Sequence, residues 1–218
     1  MALHLILKLT SMNKTSFIFF VFTVLSTAVF AQESRSMLEW NEFYRLSWSD
    51  FEGAPVEGTF GDAGTAVHIK AKPYYSGDAL KYDVYAYFNR AKSWARDTSA
   101  SLLAHEQLHF HIAELYARKI RKKIAALSAA GNNDIEVYNS AIRKILQESN
   151  EVDEQYDLET LHGALPKKQA AWEKKVHEEL LLLKDYRKKK TVIGVRKLKE
   201  RPLIFSKRRK PKTAVAHL

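Results

Sequence analysis

The sequence predicts an α+β fold: a small antiparallel β-hairpin or sheet packed on three main helices. Three observations carry that reading. Residues 65–72 and 80–88 alternate apolar and polar side chains on either side of Ser76-Gly77-Asp78, the pattern of two half-buried strands joined by a turn. From about Thr98 the apolar period lengthens to three or four residues. Two more stretches of that period follow, after Asp134 and from Pro166.

In chain order, the first expected element is an export signal. Met12-Asn13-Lys14 precedes an apolar run over residues 17–30, and Val29-Phe30-Ala31 ends it with small residues. That is the anatomy of a secretory signal peptide. Residues 1–31 are assigned to it, with Met12 as the alternative start, and the product is expected to be secreted or periplasmic. Because ~17 apolar residues is the lower limit for spanning a bilayer, an N-terminal membrane anchor is the alternative. The chain contains no cysteine, so disulfides and thiolate metal ligands are excluded, and a metal site must use His, Asp or Glu.

Residues 32–186 form the expected domain. Its first segment, 46–55, reads L-S-W-S-D-F-E-G-A-P, spaced poorly for a helix and packed through Trp48 and Phe51. In the hairpin, Val67, Ile69 and Ala71 share one face, as do Leu80, Tyr82, Val84, Ala86 and Phe88. The first helix carries His105, His109, Ile112, Tyr116, Ile120, Ile124 and Leu127 on one inward stripe and stops at Gly131-Asn132-Asn133-Asp134. The second buries Tyr138, Ile142, Ile145 and Val152, after which residues 156–163 read as a polar loop. Pro166 opens the third, with Trp172, Val176, Leu180 and Leu183 inward.

The formal charge of +10 belongs to the end of the chain. Residues 187–218 hold 13 of the 35 Lys+Arg and one of the 25 acidic residues, leaving 22 basic and 24 acidic residues before them. This stretch reads as a basic, disordered tail, with contact to an anionic surface as the sharper reading. No specific nucleic-acid recognition is predicted.

The chemistry concentrates in His105-Glu106-Gln107-Leu108-His109. Residues four apart share a helix face, so two imidazoles can reach one tetrahedral Zn²⁺. Glu106, rotated by ~100°, falls beside the metal rather than on it. There it can act as general base and then acid toward a water polarised by zinc. A catalytic zinc takes three protein ligands. From His109 to Gly131 and from Asp134 to Tyr156 the chain runs 22 residues out and 22 back, which brings residues 156–163 to the level of the histidines. His162 is the expected third ligand, with Gly163 permitting an unusual backbone turn. Asp157 and Glu159 are its rivals. Asp157 otherwise orients a liganding imidazole, and Tyr156 packs there or stabilises an oxyanion. His111, ~200° around the helix from His109, faces away as a packed or hydrogen-bonded residue. Glu114 reads as structural, and His68 and His177 carry no supporting pattern.

Three blocks, 46–55, H-E-Q-L-H-F-H-I-A-E-L at 105–115 and Y-D-L-E-T-L-H-G at 156–163, resemble a family of bacterial secreted proteins of unknown function predicted to be zinc-dependent proteases. Gln169 and Trp172 extend the resemblance, which spans residues 40–185. It implies a metallopeptidase-like, zincin-like fold and names no substrate. His111 stands where it would lead one to expect an acid. The expected function is therefore a secreted zinc peptidase acting on peptides or proteins. The alternatives are a metal-dependent cell-wall amidase and a non-catalytic envelope-associated module that docks through the basic tail.

Overall fold

Alternation and helical period fold as the sequence predicts, and the result is α+β. The computed structural model describes residues 36–188 apart from Val56, Thr59 and Phe60. The expected signal segment, residues 1–31, and all of the basic stretch beyond Lys188 lie outside the described residues. The strands are β1 (Met37–Glu39), β2 (Ala63–Gly64), β3 (Val67–Ser76), β4 (Ala79–Asn89) and β5 (Trp94–Ala95). Helices α1 (Ala100–Ala129), α2 (Ile135–Thr160) and α3 (Pro166–Leu182) follow. Among the described residues no helix is long and apolar enough to cross a membrane.

β3 and β4 form a long antiparallel hairpin in register from Val67↔Phe88 to Ser76↔Ala79. Its two-residue turn places Gly77 at φ +60°, the left-handed conformation that a tight hairpin demands and glycine adopts without strain. β1 adds to the other side of β4, giving the order β1-β4-β3, so β3 is an edge strand. β2 and β5 make a separate two-stranded ladder.

The inner face of β4 lies on α1. Val84 and Ala86 pack with Ala113, Ala117 and Ile120, and the alanines let helix and sheet approach closely. Phe88, fully buried, packs between Phe51, edge to face, and Phe110, tilted, with centroids 5.2 and 5.8 Å away. Its truncation to Ala would cost about 3–5 kcal/mol. On the other side of α1, Leu108, Ile112, Leu115 and Tyr116 meet Tyr156 of α2 and Trp172 and Val176 of α3. α1 is thus covered by the sheet and both other helices, which is why its mid-section buries polar side chains as well as apolar ones.

The α1–α2 connection uses the predicted stop. Gly131 takes φ +70° and Asp134 caps α2, accepting from the Glu136 amide at 2.9 Å. At the far end the structure departs from expectation: residues 156–160 are the last turn of α2, not loop. Thr160 Oγ1 donates to the Tyr156 carbonyl at 2.7 Å, and Gln155 bonds Glu159 one turn on. These local bonds satisfy polar residues within a helix, so polarity alone misreads the segment. The consequence is positional: Asp153 and Asp157, four apart, project from one face of α2.

Candidate metal centre

α1 and α2 run side by side, and at one point their polar residues converge. His105 and His109 occupy successive turns of α1 and are 1% and 6% exposed. Their rings meet edge to face with Nε2 atoms 3.3 Å apart. Asp157 Oδ1 lies 3.0 Å from His105 Nε2 and 3.1 Å from His109 Nε2. A tetrahedral zinc with bonds of ~2.1 Å separates its ligand atoms by roughly 3.4 Å. The three donors therefore already stand at nearly the spacing of a first coordination shell. His162 Nδ1 is 3.5 Å from the same Asp157 oxygen. His105, Asp157 and His162 together make a group that could hold a metal ion.

The backs of both rings are anchored as well. His109 Nδ1 is 2.7 Å from Asp153 Oδ1, and His105 Nδ1 is 3.3 Å from Gln169 Oε1. A carboxylate or amide oxygen only accepts, so each Nδ1 carries a proton and each Nε2 faces the shared point, where it can donate to Asp157 or, with its proton displaced, offer a lone pair to a cation. The orientation of Gln169 is fixed in turn. Its Oε1 accepts from the Tyr156 hydroxyl at 2.7 Å, and its Nε2 donates to Glu173 at 2.9 Å. Tyr156 is fully buried, its ring stacked 4.6 Å from that of His105.

Electrostatics point the same way. Burial alone would depress the His109 imidazolium, yet its hydrogen bonds to Asp153 and Asp157 outweigh that and push its pKa up to about 10. Burial would likewise raise the Asp157 carboxyl, but the hydrogen bonds from His105 and His109 hold it well below the usual carboxylate range. The cluster demands positive charge at its centre, from protons or from a cation. Glu106, 3% exposed, adds a further carboxylate whose Oε2 has no hydrogen-bond partner among the described residues. A buried carboxylate oxygen left open in this way is costly unless something from outside meets it.

The segment that closes the centre is strained. Leu161 and His162 take φ +48° and +51°, and Gly163 takes φ +83°. Side-chain-bearing residues in this region cost on the order of 1 kcal/mol or more each, a cost tolerated mainly where it positions function. Gly163 is required twice, since a Cβ there would stand 2.9 Å from His105 Cβ.

Of the residues singled out from sequence, His105, Glu106, His109, Tyr156, Asp157 and His162 thus gather in one region. Glu159 does not; it accepts from the Trp172 indole at 3.0 Å. Glu114 is structural, bound by Arg118 and Arg121 at 2.9 and 3.0 Å. Two partners escaped the sequence reading of the site. Asp153 is one helical turn before Asp157, a relation that shows only once residues 156–160 are helix. Gln169 is marked in the sequence only by the resemblance, because nothing local identifies a glutamine on α3 as a histidine's partner.

A cleft of about 200 Å³ adjoins Asp153, lined also by Val67 and Ile69 at the start of edge strand β3, by Thr65 just before it, and by Ser149. Searches of curated proteins and of solved structures find no match. Over residues 86–163, from β4 through both α1 histidines to Gly163, the chain is similar to a family described as bacterial protein of unknown function (DUF922).

Proposed function

We propose that the centre binds zinc and that the protein is a secreted or periplasmic peptidase with a zincin-like arrangement of helix and edge strand. The observation that carries this reading is the pair of imidazoles locked by Asp153 and Gln169 with both Nε2 atoms aimed at Asp157. His105, His109 and Asp157 are the principal donors. His162, the most exposed of the group at 55%, closes over them from the strained turn.

Zinc bound there would polarise a scissile carbonyl and ease deprotonation of water. The chain's own work is positional and protonic. Glu106 Oε2 takes the proton of the attacking water and returns it to the leaving amine nitrogen. The cleft beside Asp153 and the free edge of β3 support an extended peptide held by main-chain pairing. Tyr156, with its hydroxyl committed to Gln169 and the His105 carbonyl, serves as a positioning residue for His105 rather than as an oxyanion donor.

The test is hydrolysis of a denatured protein substrate, with zinc content measured on the same samples. Wild type should cleave. Glu106→Gln should keep its zinc and lose at least about a thousandfold in turnover. Equal activity in the two would remove Glu106 from the mechanism, and cleavage persisting in chelator-treated protein would remove the metal.

A further inference from the structure

A second cavity lies away from the candidate metal centre. It lies on the other side of α1, between that helix, α3 and the N-terminal segment, with a volume of about 760 Å³. That falls within the range of small-molecule sites. Its walls are apolar, formed by Leu46, Leu103, Leu108, Val176 and Leu180. Two polar side chains from successive turns of α1, Gln107 and His111, also line it.

The acceptor atoms of these two are already used. The Leu46 amide donates to Gln107 Oε1 at 2.7 Å, and the Trp40 indole donates to His111 Nδ1 at 3.0 Å. Both partners can only donate. Gln107 must therefore present its NH₂, and neutral His111 its Nε2–H. Neither group has a protein partner among the described residues. Arg45 and Lys184 stand at the rim with no carboxylate partner among those residues, whereas Arg187 is matched by Glu42.

We propose that this cavity is a second ligand site, for a single-chain amphiphile with a carboxylate head. The two fixed donors would receive the carboxylate in charge-assisted hydrogen bonds, the rim cations would draw it in, and the apolar walls would take the chain. Charge argues against the protein's own tail as occupant, since residues 187–218 carry 13 basic residues and one acid and would meet a cationic rim. The site does not depend on the peptidase reading, because no proposed metal donor lines it.

The experiment uses the full chain and a fluorescent undecanoate probe, competed by laurate or by dodecanol. The expected result is one saturable site from which laurate displaces the probe roughly tenfold or more better than dodecanol, the value of a charge-assisted bond. Gln107→Leu with His111→Phe should weaken laurate by a similar factor, Arg45→Glu with Lys184→Glu severalfold, and Glu106→Gln not at all. Circular dichroism identifies a donor variant that fails to fold; the rim pair, exposed at the surface, then decides. Absence of saturable binding, equal competition by dodecanol, or stronger competition by an apolar C-terminal peptide would overturn the proposal. So would binding lost in Glu106→Gln but kept in the donor and rim variants, which would put the ligand at the metal centre.

Discussion

His109 and His111 are two residues apart on one helix, and the structure gives them opposite electrostatics. His109 faces Asp153 and Asp157, whose hydrogen bonds overcome burial and push its pKa up to about 10. His111 faces the reverse cavity, where burial first, then the charges of Arg45, His177 and Arg118, push it down to about 4. One ring is driven toward positive charge; the other is held neutral by burial and the cations around it. A helix through the middle of a small domain can serve two sites because a ~200° step separates their faces. Residue type alone cannot say which histidine has which role; the groups packed against each one decide.

The comparison breaks most readily on the metal face. His105→Ala or His109→Ala should lower zinc affinity by well over a hundredfold, Asp157→Ala by about a hundredfold, and Asp153→Asn or Gln169→Leu by roughly 10- to 100-fold through the loosened ring. His162→Ala should have the smallest effect of the cluster. Competition against a chromophoric chelator gives the order. If His162→Ala proves as damaging as Asp157→Ala, the exposed histidine is a full ligand and the donor set must be redrawn.

Next comes pH. In metal-free protein the folded pKa of His109, about 10, exceeds the unfolded value of ~6.5. Its contribution to stability is complete below ~6.5 and disappears as pH rises through about 10. His111 runs the other way. Its folded value of about 4 lies below ~6.5, so its contribution is present above ~6.5 and is lost as pH falls toward about 4. Urea unfolding across this range should show an alkaline decline that zinc loading abolishes and an acid decline that is shallower in His111→Phe. An alkaline arm indifferent to zinc would mean that proton and metal do not compete for one place.

A third effect concerns the strained turn. Gly163→Ala combines a φ of +83° with a Cβ 2.9 Å from that of His105. It should cost about 1–3 kcal/mol, read as a lower Tm, and weaken zinc through the displaced ring. Gly77→Ala in the hairpin turn has φ +60° but nothing within 4 Å, so it should cost ~1 kcal/mol and leave zinc affinity unchanged.

How far the sequence could be read follows the same division between local and long-range causes. Hairpin, helix stops and the inward histidine stripe were legible because each rests on a period or a cap within a few residues: Gly77, Gly131 and Asp134 state their geometry directly. The spacing of His105, Glu106 and His109 was legible for the same reason, and so was the return of the second long helix to their level. What escaped depends on partners far along the chain. Gln169 meets His105 across 64 residues, Asp153 meets His109 across 44, and Trp40 meets His111 across 71. The last turn of α2 was misread because Thr160 and Gln155 find their bonds inside the helix, a satisfaction that composition does not reveal.

The central claim is that the two Nε2 atoms of His105 and His109, with Asp157, hold one divalent cation. Zinc-edge X-ray absorption on protein loaded with one equivalent tests it directly. The account predicts a first shell of nitrogen and oxygen at ~2.0–2.1 Å with imidazole outer-shell scattering, reduced by one imidazole in His109→Ala. A shell without imidazole, or one unchanged by that substitution, would contradict it.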